Sequence, residues 1–364
     1  MESVKILFAT DNFFLPQDGG GLGRNTHELC ISLLRRSLSV AVLASLEPHN
    51  LIWLGNRVRS KLRRSERFPV DQIMGYPAFR GWSPTSGVGE VVRRYRPDIA
   101  IIQASRPMKF AEHFIAEHVP CIIYLHGAVF EKPRVAMNQE GLDLDFATNS
   151  EFTARKLKRQ YGVEPTVIPP LVDPDRYRVE STRRKVVFVN PTKIKGLDIA
   201  LHLAECRKDI EFEFVESWKI PWREWRTLRA RVNSLGNVVL RRKVSDMRSL
   251  YRHARLLLVP SVWEEPWGRV VTEAHISGIP VLASTRGGLP ESVGPGGILV
   301  DPDSEPAVWE EALSRLWDNT EAYERLSGAA LEYSRRAEIQ PDYLLQKLMT
   351  LIAERLKNAS ANSA

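Results

Sequence analysis

The sequence predicts an α/β protein with two domains, each built around a mostly parallel β-sheet. Short apolar runs, too brief for core helices, alternate along the chain with segments of helical periodicity. A length of 364 residues is too long for one typical core. A polar, charged stretch separates the two series of strands. We therefore expect a first domain at 1–172, a linker at 173–184, a second domain at 185–335 and a helical end at 336–364.

The composition is that of a globular protein with a modest positive charge. Its 51 lysine and arginine residues against 44 aspartate and glutamate residues give a formal net charge of +7. The first residues lead directly into an apolar strand without a basic segment or a cleavage-like site, and no apolar run approaches the length of a membrane span. The sequence therefore predicts a cytoplasmic protein without a secretory signal.

Candidate metal ligands are sparse. The three cysteines, Cys30, Cys121 and Cys206, are widely separated and no pair has metal-ligand spacing, so we expect small buried thiols in a reducing compartment. Asp143 and Asp145 offer two carboxylates, but the next residues have the pattern of a strand and a capped helix, and nothing nearby completes a site. The sequence predicts no metal site.

The first domain begins as alternating strands and helices. The predicted strands are 5–9, 39–43, 99–103 and 121–125, and the predicted helices are 24–36, 87–95 and 109–117. A glycine run, Gly19 to Gly23, follows the first strand. It suggests a dinucleotide site, but it lacks the full glycine fingerprint, and about ten residues separate it from the strand instead of a tight turn. We therefore reject a dinucleotide site.

His126 comes directly after the predicted strand at 121–125 and is followed by Gly127. Ligands of open parallel sheets bind beyond the carboxyl ends of the strands, so this position suits a ligand contact. The alternative is that His126 is structural, as most lone histidines are.

A basic segment interrupts the pattern between 47 and 79. Within it, six basic residues surround the acid Glu66, namely Arg57, Arg59, Lys61, Arg63, Arg64 and Arg67. One interpretation is a solvated loop or short helix. The other is a surface for an anionic partner, either membrane phospholipid or a phosphate-bearing acceptor.

The second domain repeats the alternation. Its predicted strands are 186–189, 211–215, 238–240, 256–259, 281–283 and 298–300. Ser245 is expected to cap a helix that continues through Tyr251. Residues 307–356 are predicted to be helical, and residues 358–364 to form a disordered polar tail.

Three tryptophans, Trp218, Trp222 and Trp225, lie among lysines and arginines. Aromatic side chains interleaved with arginines can stack on nucleic-acid bases. A helix with its tryptophan edge on the core is the commoner explanation, so we expect no nucleic-acid partner.

The most informative stretch is a strand, an acidic loop and a helix at 256–278. Gly268 opens the helix, where the N–H groups of Gly268, Arg269 and Val270 would face an anion such as a diphosphate. Gly278 closes the helix with a residue type suited to a left-handed cap.

Two carboxylates flank this helix start. Glu265 precedes the helix and Glu273 lies in its second turn, so both can reach one pocket. Carboxylates beside a diphosphate would accept hydrogen bonds from hydroxyl groups, which predicts a sugar joined to phosphate. The alternative is that both residues are ordinary exposed acids next to a helix.

The residues Glu265, Pro266, Trp267, Gly268 and Glu273 resemble the signature of retaining glycosyltransferase family 4, which has Glu-Pro-aromatic-Gly followed by a second Glu at this spacing. The match continues through 278–281 and 287–291. The resemblance implies the GT-B fold, in which two Rossmann-like domains face each other across a cleft. It also implies an acceptor held by the first domain, a nucleotide held by the second, and a final helix that crosses back to the first domain.

The resemblance assigns roles in the second domain. Glu273 would bind the nucleotide ribose and Glu265 the donor sugar, while Lys195, immediately before a glycine, would bind the diphosphate. Lys243 lies near the expected nucleotide base. Asn190 occupies the position of an expected arginine, so either another cation such as Lys193 substitutes or turnover is low, because one preorganised electrostatic stabiliser is commonly worth about 10² to 10³ in rate.

In the first domain, the resemblance places Gly20 and Gly21 near the donor phosphate and the acceptor, and His126 within hydrogen-bond reach of the donor sugar or the acceptor. The expected catalytic residues are His126, Lys195 and Glu265. The expected donor-binding residues are Gly20, Gly21, Asn190, Lys243, Trp267, Gly268, Arg269, Val270 and Glu273.

The resemblance implies transfer of a sugar from a nucleotide-diphosphate donor to a hydroxyl group, with retention at the anomeric carbon and without a metal or cofactor. The acceptor would be a glycan, a glycolipid or a small molecule in polysaccharide or glycolipid assembly, reached at the inner face of the membrane through Arg57–Arg67 if that segment binds anionic lipid. Two alternatives stay open: a sugar-nucleotide epimerase or hydrolase on the same scaffold, and a non-catalytic protein that binds nucleotide or polyanion.

Overall fold

The computed structural model describes residues 4–17, 20–48, 52–55, 67–127 and 144–362. The chain divides into two compact units. The first unit comprises Met1–Leu171 and Asp342–Ala364, and the second comprises Val172–Pro341. Each unit contains one sheet with helices between successive strands, so the prediction of two α/β domains with parallel sheets is confirmed.

The first unit is built on an eight-stranded sheet in the order β3-β4-β2-β1-β5-β6-β7-β8. Every neighbouring pair is parallel except β3 and β4. The strands are β1 (Lys5–Phe13), β2 (Ser39–Ser45), β3 (Val70–Asp71), β4 (Ala78–Gly81), β5 (Ile99–Ile102), β6 (Cys121–Leu125), β7 (Asp145–Thr148) and β8 (Thr166–Val167). Its central strands are buried along almost their whole length, as strands covered on both faces must be.

The helices of the first unit that precede the linker are Gly21–Arg35, a short helix at 52–55, Val88–Tyr95, Pro107–Ala116 and Glu151–Tyr161. The last helix of the chain, Pro341–Asn362, also contributes to this unit. Its Leu344, Leu348 and Ile352 are buried in one core cluster with Ile6 and Phe8 of β1. The first unit is therefore made from both ends of the described chain.

The second unit is built on a six-stranded sheet in the order β11-β10-β9-β12-β13-β14, with every neighbouring pair parallel. The strands are β9 (Lys185–Val189), β10 (Glu211–Val215), β11 (Val238–Arg241), β12 (Ala254–Val259), β13 (Val281–Ser284) and β14 (Gly297–Val300). The helices are Leu197–Cys206, Trp222–Leu235, Arg248–Tyr251, Arg269–His275, Leu289–Val293, Pro306–Trp317 and Thr320–Tyr333.

Several local predictions were wrong. The stretch 47–79, where a loop or a short helix was expected, also contains β3 and the start of β4, which are too short to show a periodicity of their own. The helix expected to be capped by Ser245 begins at Arg248, and the carboxylate of Asp246 accepts the hydrogen bond from its backbone N–H. The final helix continues through Asn362, where a disordered tail was expected.

The cysteine prediction was correct for two residues and wrong for one. Cys30 and Cys121 are buried, but Cys206 is exposed at the last position of its helix. Cys206 lies on the solvent-exposed side of its helix, next to Glu310 of the neighbouring helix Pro306–Trp317.

Over the ranges that the structure describes, no helix has the combination of length and apolar character needed to cross a bilayer.

Candidate functional site

The candidate site of the second unit lies where the order of its strands reverses. The first strand, β9, has β10 on one side and β12 on the other. The loops that follow β9 and β12 therefore leave neighbouring strands at the same edge of the sheet. Ligands of open parallel sheets bind in the crevice outside such a reversal.

Two glycines allow these loops to pack closely. Gly196 has a φ of +83°, and a Cβ there would lie 1.9 Å from the carbonyl oxygen of Pro260. Gly287 has a φ of +67°, and its Cβ would lie 2.2 Å from the backbone oxygen of Glu265. Any other residue at either position would separate the loops.

Hydrogen bonds connect the same loops. The backbone N–H groups of Val262 and Trp263 both donate to the carbonyl oxygen of Ile194, at 3.1 Å. The hydroxyl of Ser284, at the end of β13, donates to the carbonyl oxygen of Ser261 at 2.6 Å. The loops after β9, β12 and β13 thus form one connected structure that fixes the side chains they carry.

Lys195 and Glu265 form an ion pair at this junction. The ammonium group of Lys195 also lies 4.7 Å from the centre of the Trp218 ring, within range of a cation–π interaction. The side chains of Lys195 and Glu265 are 14% and 10% exposed, so both still reach solvent. The structure therefore brings two of the sequence-predicted catalytic residues into contact.

Asn190 has a structural role at the end of β9. Its φ of +69° lies in the left-handed region, which asparagine tolerates better than most residues. Its side-chain oxygen accepts a hydrogen bond from the N–H of Trp218 at 3.2 Å, and the residue is buried. Lys193, the alternative cation in this loop, is exposed. An arginine at position 190 would have to adopt the same left-handed backbone.

Glu273 belongs to a buried network next to the start of its helix. One carboxylate oxygen accepts a hydrogen bond from Arg269 at 3.0 Å and the other accepts one from the hydroxyl of Tyr251 at 2.8 Å. Arg269 in turn donates to the hydroxyl of Tyr177 at 3.0 Å. Glu273 is 2% exposed, so its carboxylate is held by protein groups and not by water.

Gly268 sets the start of this helix with a φ of +84°, and a Cβ there would meet the Leu289 side chain at 2.6 Å. Trp267 is buried, and its indole N–H donates to the hydroxyl of Thr272 at 3.0 Å. Val270 is half-buried. A ligand at this helix start would therefore contact the backbone of Trp267 more readily than its ring.

Lys243 lies beyond the end of the edge strand β11 and is exposed. Because β10 lies between β11 and β9, the end of β11 that precedes Lys243 is about 10 Å from the end of β9. Lys243 does not contact the Lys195–Glu265 pair.

In the first unit, polar side chains meet at the ends of two neighbouring strands. His126 follows β6 and Gln103 follows β5, the neighbouring strand, and Gln103 Nε2 lies 2.9 Å from His126 Nε2. The side-chain oxygen of Gln103 accepts a hydrogen bond of 2.6 Å from the hydroxyl of Thr26. Since an amide nitrogen only donates, His126 Nε2 accepts and Nδ1 carries the proton.

Burial lowers the pKa of His126 to about 3. The imidazole is therefore neutral near pH 7.

The glycine run begins the helix that carries Thr26. Gly20 is the residue before this helix and Gly21 is its first residue, and a Cβ at Gly21 would meet no atom within 4 Å. Gly19 lies outside the described residues. The basic segment Arg57–Glu66 and Asp143 also lie outside them. Asp145 is in β7, with a carboxylate oxygen 3.9 Å from the guanidinium of Arg355.

Sequence reasoning missed Gln103, Thr26, Tyr251 and Tyr177. A sequence pattern could have indicated Gln103 as a site residue, because it is a polar residue directly after an apolar strand that adjoins β6. No local sequence pattern indicated the two tyrosines. Tyr177 of the linker, for example, contacts a helix more than ninety residues away.

Two family models match the chain. Residues 19–176 match the model described as Glycosyltransferase Family 4, and residues 183–319 match the model described as Glycosyl transferases group 1.

Two curated relatives illustrate the similarity in sequence. The chain is 42% identical over 96 residues to a D-inositol 3-phosphate glycosyltransferase of Corynebacterium glutamicum (strain R), which covers 26% of this chain and 22% of that protein. It is 26% identical over 363 residues to a GDP-mannose-dependent monoacylated alpha-(1-6)-phosphatidylinositol monomannoside mannosyltransferase of Corynebacterium glutamicum (strain ATCC 13032), which covers 87% of this chain and 91% of that protein. The similarity to the inositol phosphate enzymes thus spans about a fifth of their length.

Solved structures are similar over nearly the whole chain. A glycosyltransferase from Rickettsia africae ESF-5 matches with a TM-score of 0.77 and 16% identity, covering 98% of this chain and 100% of that one. The Anabaena protein Alr3699/HepE, solved in complex with UDP and glucose, matches with a TM-score of 0.75 and 18% identity, covering 96% of this chain and 99% of that one. At these identities the similarity establishes the fold, which is that of GT-B glycosyltransferases.

Proposed function

We propose that this protein transfers a sugar from a nucleotide-diphosphate donor to a hydroxyl group of an acceptor. Residues 19–176 and 183–319 match the two glycosyltransferase family models, so the chain belongs to the group 1 glycosyltransferases of family 4. The observation that carries this proposal is the Lys195–Glu265 pair, which the loops after β9 and β12 hold at the reversal of strand order.

In the proposed complex, the two members of the pair contact different parts of the donor. The ammonium of Lys195 binds the diphosphate, with the backbone N–H groups at Gly268 and Arg269 as further donors. Glu265, released from Lys195, accepts a hydrogen bond from a sugar hydroxyl. An ion pair that a diphosphate can open suits this role because both side chains still reach solvent.

The proposed reaction is a front-face substitution with retention of configuration. The bond between the anomeric carbon and the phosphate oxygen breaks, and the bond from the acceptor oxygen to the same carbon forms on the same face. The acceptor's proton passes to the leaving diphosphate. In this proposal Glu265 accepts a hydrogen bond from a sugar hydroxyl, and Glu273 is held by Arg269 and Tyr251, so neither carboxylate is assigned as a covalent nucleophile.

Charge stabilisation in this proposal comes from the protein. Negative charge grows on the leaving diphosphate, and Lys195 with the helix start at Gly268 offsets it, so the proposed chemistry requires neither a metal ion nor a cofactor. The neutral His126 would donate its Nδ1–H to a hydroxyl of the donor sugar or the acceptor, and would not transfer a proton as an imidazolium.

For the donor and the acceptor we take the relatives as guides. A relative aligned over most of the chain is named as GDP-mannose-dependent and as acting on a phosphatidylinositol mannoside, and a structural neighbour was solved with UDP and glucose. We propose a nucleoside diphosphate hexose as donor and a glycan or glycolipid as acceptor, with the enzyme at the inner face of the membrane. Contact with anionic lipid would come from the segment Arg57–Arg67.

The test begins with the full chain and UDP, GDP, ADP, TDP and CMP in a thermal-shift screen. A nucleotide at one hundred times its dissociation constant adds about 2.7 kcal/mol to the free energy of unfolding. Lys195→Ala, which removes the proposed contact with the diphosphate, should show a smaller gain. The matching nucleotide sugar is then supplied with and without an inositol-containing glycolipid, and the product and released nucleotide are quantified by mass spectrometry.

We expect one diphosphate to stabilise the protein, release of that diphosphate to require the acceptor, and the product to keep the anomeric configuration in its NMR spectrum. Release without an acceptor would mean a hydrolase, and loss of the nucleotide sugar into an isomer would mean an epimerase. Absence of any nucleotide effect would contradict the proposal as a whole.

A further inference from the structure

Three side chains of metal-ligating types meet on two helices that carry none of the proposed donor-binding residues. His202 and Cys206 belong to the helix Leu197–Cys206, and Glu310 belongs to the helix Pro306–Trp317. Their ligand atoms all lie within 4.8 Å of one another. His202 Nε2 is 2.7 Å from Glu310 Oε1, and Cys206 Sγ is 3.6 Å from that nitrogen and 3.7 Å from that oxygen.

The fold holds these groups on rigid elements. His202 and Cys206 are four residues apart, so they occupy the same helix face on successive turns. The two helices pack through a common core that includes Leu203 and Leu313. A site on packed helices is more precisely positioned than one on loops.

We propose that His202, Cys206 and Glu310 bind a divalent transition-metal ion of the Zn²⁺ class. One imidazole nitrogen, one thiolate and one carboxylate oxygen are donor types that Zn²⁺ takes in proteins, with bond lengths of about 2.0 to 2.3 Å. The thiolate selects against Mg²⁺ and Ca²⁺, which prefer oxygen ligands.

The separations of the donor atoms fit such an ion. Tetrahedral bonds of those lengths place a sulfur about 3.5 Å from a nitrogen or oxygen ligand, close to the separations of 3.6 and 3.7 Å from Cys206 Sγ. The nitrogen and oxygen of His202 and Glu310 would need to move apart by less than about 1 Å, to about 3.4 Å. Both side chains are partly exposed, so this adjustment meets little resistance.

The exposure of Cys206 is a second argument. Unpaired cysteines are among the most buried residue types, as Cys30 and Cys121 are here. Cys206 is instead exposed, and it adjoins two other potential ligands. With three protein ligands, the fourth position would be open to water, and the ion would join the helix that follows Lys195 to the helix Pro306–Trp317.

Cobalt spectroscopy tests this directly, because a thiolate bound to Co²⁺ gives a charge-transfer band in the near ultraviolet. The full chain is freed of any polyhistidine tag, treated with a chelator and titrated with Co²⁺, and Zn²⁺ is then added to displace it. We expect one equivalent of Co²⁺ with the thiolate band, and loss of the band in Cys206→Ser.

His202→Gln and Glu310→Gln should each weaken Zn²⁺ binding by about 100-fold or more, since even residues behind the ligands contribute about 10- to 100-fold in affinity. His113→Gln, at an exposed histidine of the first unit, is the matched control and should bind as the wild type does. Circular dichroism confirms that each variant is folded.

Absence of the band in the wild type would overturn the proposal. So would its persistence in Cys206→Ser, because the other two thiols are buried. Unchanged affinity in both His202→Gln and Glu310→Gln would overturn it as well. None of these outcomes depends on nucleotide binding or on sugar transfer, so the metal site stands or falls separately from the proposed reaction.

Discussion

Lys195 and Glu273 are both paired with protein groups, but the two pairings differ in kind. Lys195 contacts one carboxylate and one aromatic ring at a position that solvent reaches, so a ligand can compete for it. Glu273 is buried and both its oxygens accept hydrogen bonds from protein donors. A substitution at Lys195 should therefore weaken the contact with the donor. A substitution at Glu273 should in addition lower the stability of the fold, because it leaves Arg269 without its buried partner.

Lys195→Ala should lower kcat by about 10² to 10³, because it removes a preorganised charge beside the leaving diphosphate. The matched control is Lys193→Ala, two residues away in the same loop but exposed, which should change kcat by less than about 10-fold. Initial rates with the identified donor and acceptor measure both. Equal losses in the two variants would show that Lys193, and not Lys195 alone, supplies the charge.

The buried His275 should make the stability of the protein depend on pH. Burial lowers its pKa to about 3, with the positive charge of Arg336 acting in the same direction. Between about pH 6.5 and pH 3 the unfolded chain therefore binds a proton that the folded chain does not, and the free energy of unfolding falls as the pH falls.

The expected slope from His275 is up to about 1.4 kcal/mol per pH unit within that window, with stability fully retained above it. Urea unfolding at pH 7, 6 and 5 should show a steeper loss for the wild type than for His275→Gln. The same slope in both proteins would contradict the assignment of a neutral buried histidine.

At the scale of elements, the strand, loop and helix around the acidic motif could be predicted because their signals are local. The apolar run of β12, the helical spacing after it and the glycines at 268 and 278 are all contiguous in sequence, and the structure has β12 and the helix Arg269–His275 there.

The contact of Gln103 with His126 could not be predicted with equal ease, since it depends on β5 and β6 being neighbours. The left-handed backbone of Asn190 could not be predicted either, because a single asparagine in a sequence does not determine its φ. The roles assigned to the site residues stay predictions.

Gly196→Ala should disturb the loop that carries Lys195. Its Cβ would combine a left-handed backbone with a backbone oxygen at 1.9 Å, so the loop after β9 must move away from Pro260. Gly236→Ala is the matched control, since Gly236 has a φ of +79° with no atom within 4 Å of its Cβ.

Both substitutions carry the left-handed backbone cost of about 1 to 2 kcal/mol. We expect Gly196→Ala to lose more stability than that and at least about 10-fold in affinity for the nucleotide, as measured by calorimetry. Gly236→Ala should keep the affinity of the wild type. Equal nucleotide affinity in the two variants would show that the close approach to Pro260 does not position the site.

At the scale of the whole molecule, the fold class could be predicted from the two series of short buried strands. The two units differ in how the chain makes them. The second unit is one continuous segment, Val172–Pro341, whereas the first unit combines Met1–Leu171 with Asp342–Ala364. Part of the core of the first unit therefore comes from a helix that follows the entire second unit.

Leu348→Ala should destabilise the first unit by about 2 to 5 kcal/mol, because Leu348 is fully buried in the core cluster of that unit. Tyr343→Ala, at an exposed position of the same helix, should cost less than about 0.5 kcal/mol. Amide hydrogen exchange resolves the units: in Leu348→Ala, peptides from 99–125 should exchange faster, and peptides from 254–284 should be unchanged. Equal acceleration in both regions would show that the two units unfold together.

The discontinuity of the first unit also imposes an order on synthesis. Residues 172–341 leave the ribosome between the two parts of the first unit, which takes on the order of ten seconds or more at about 5 to 20 residues per second. Throughout that interval the nascent first unit lacks the helix that brings Leu344, Leu348 and Ile352 to its core, so a patch of its apolar surface faces solvent. By the end of that interval the second unit has all its strands, whereas the first unit still lacks its last helix. The second unit should therefore complete its folding first, although the ribosome makes it later.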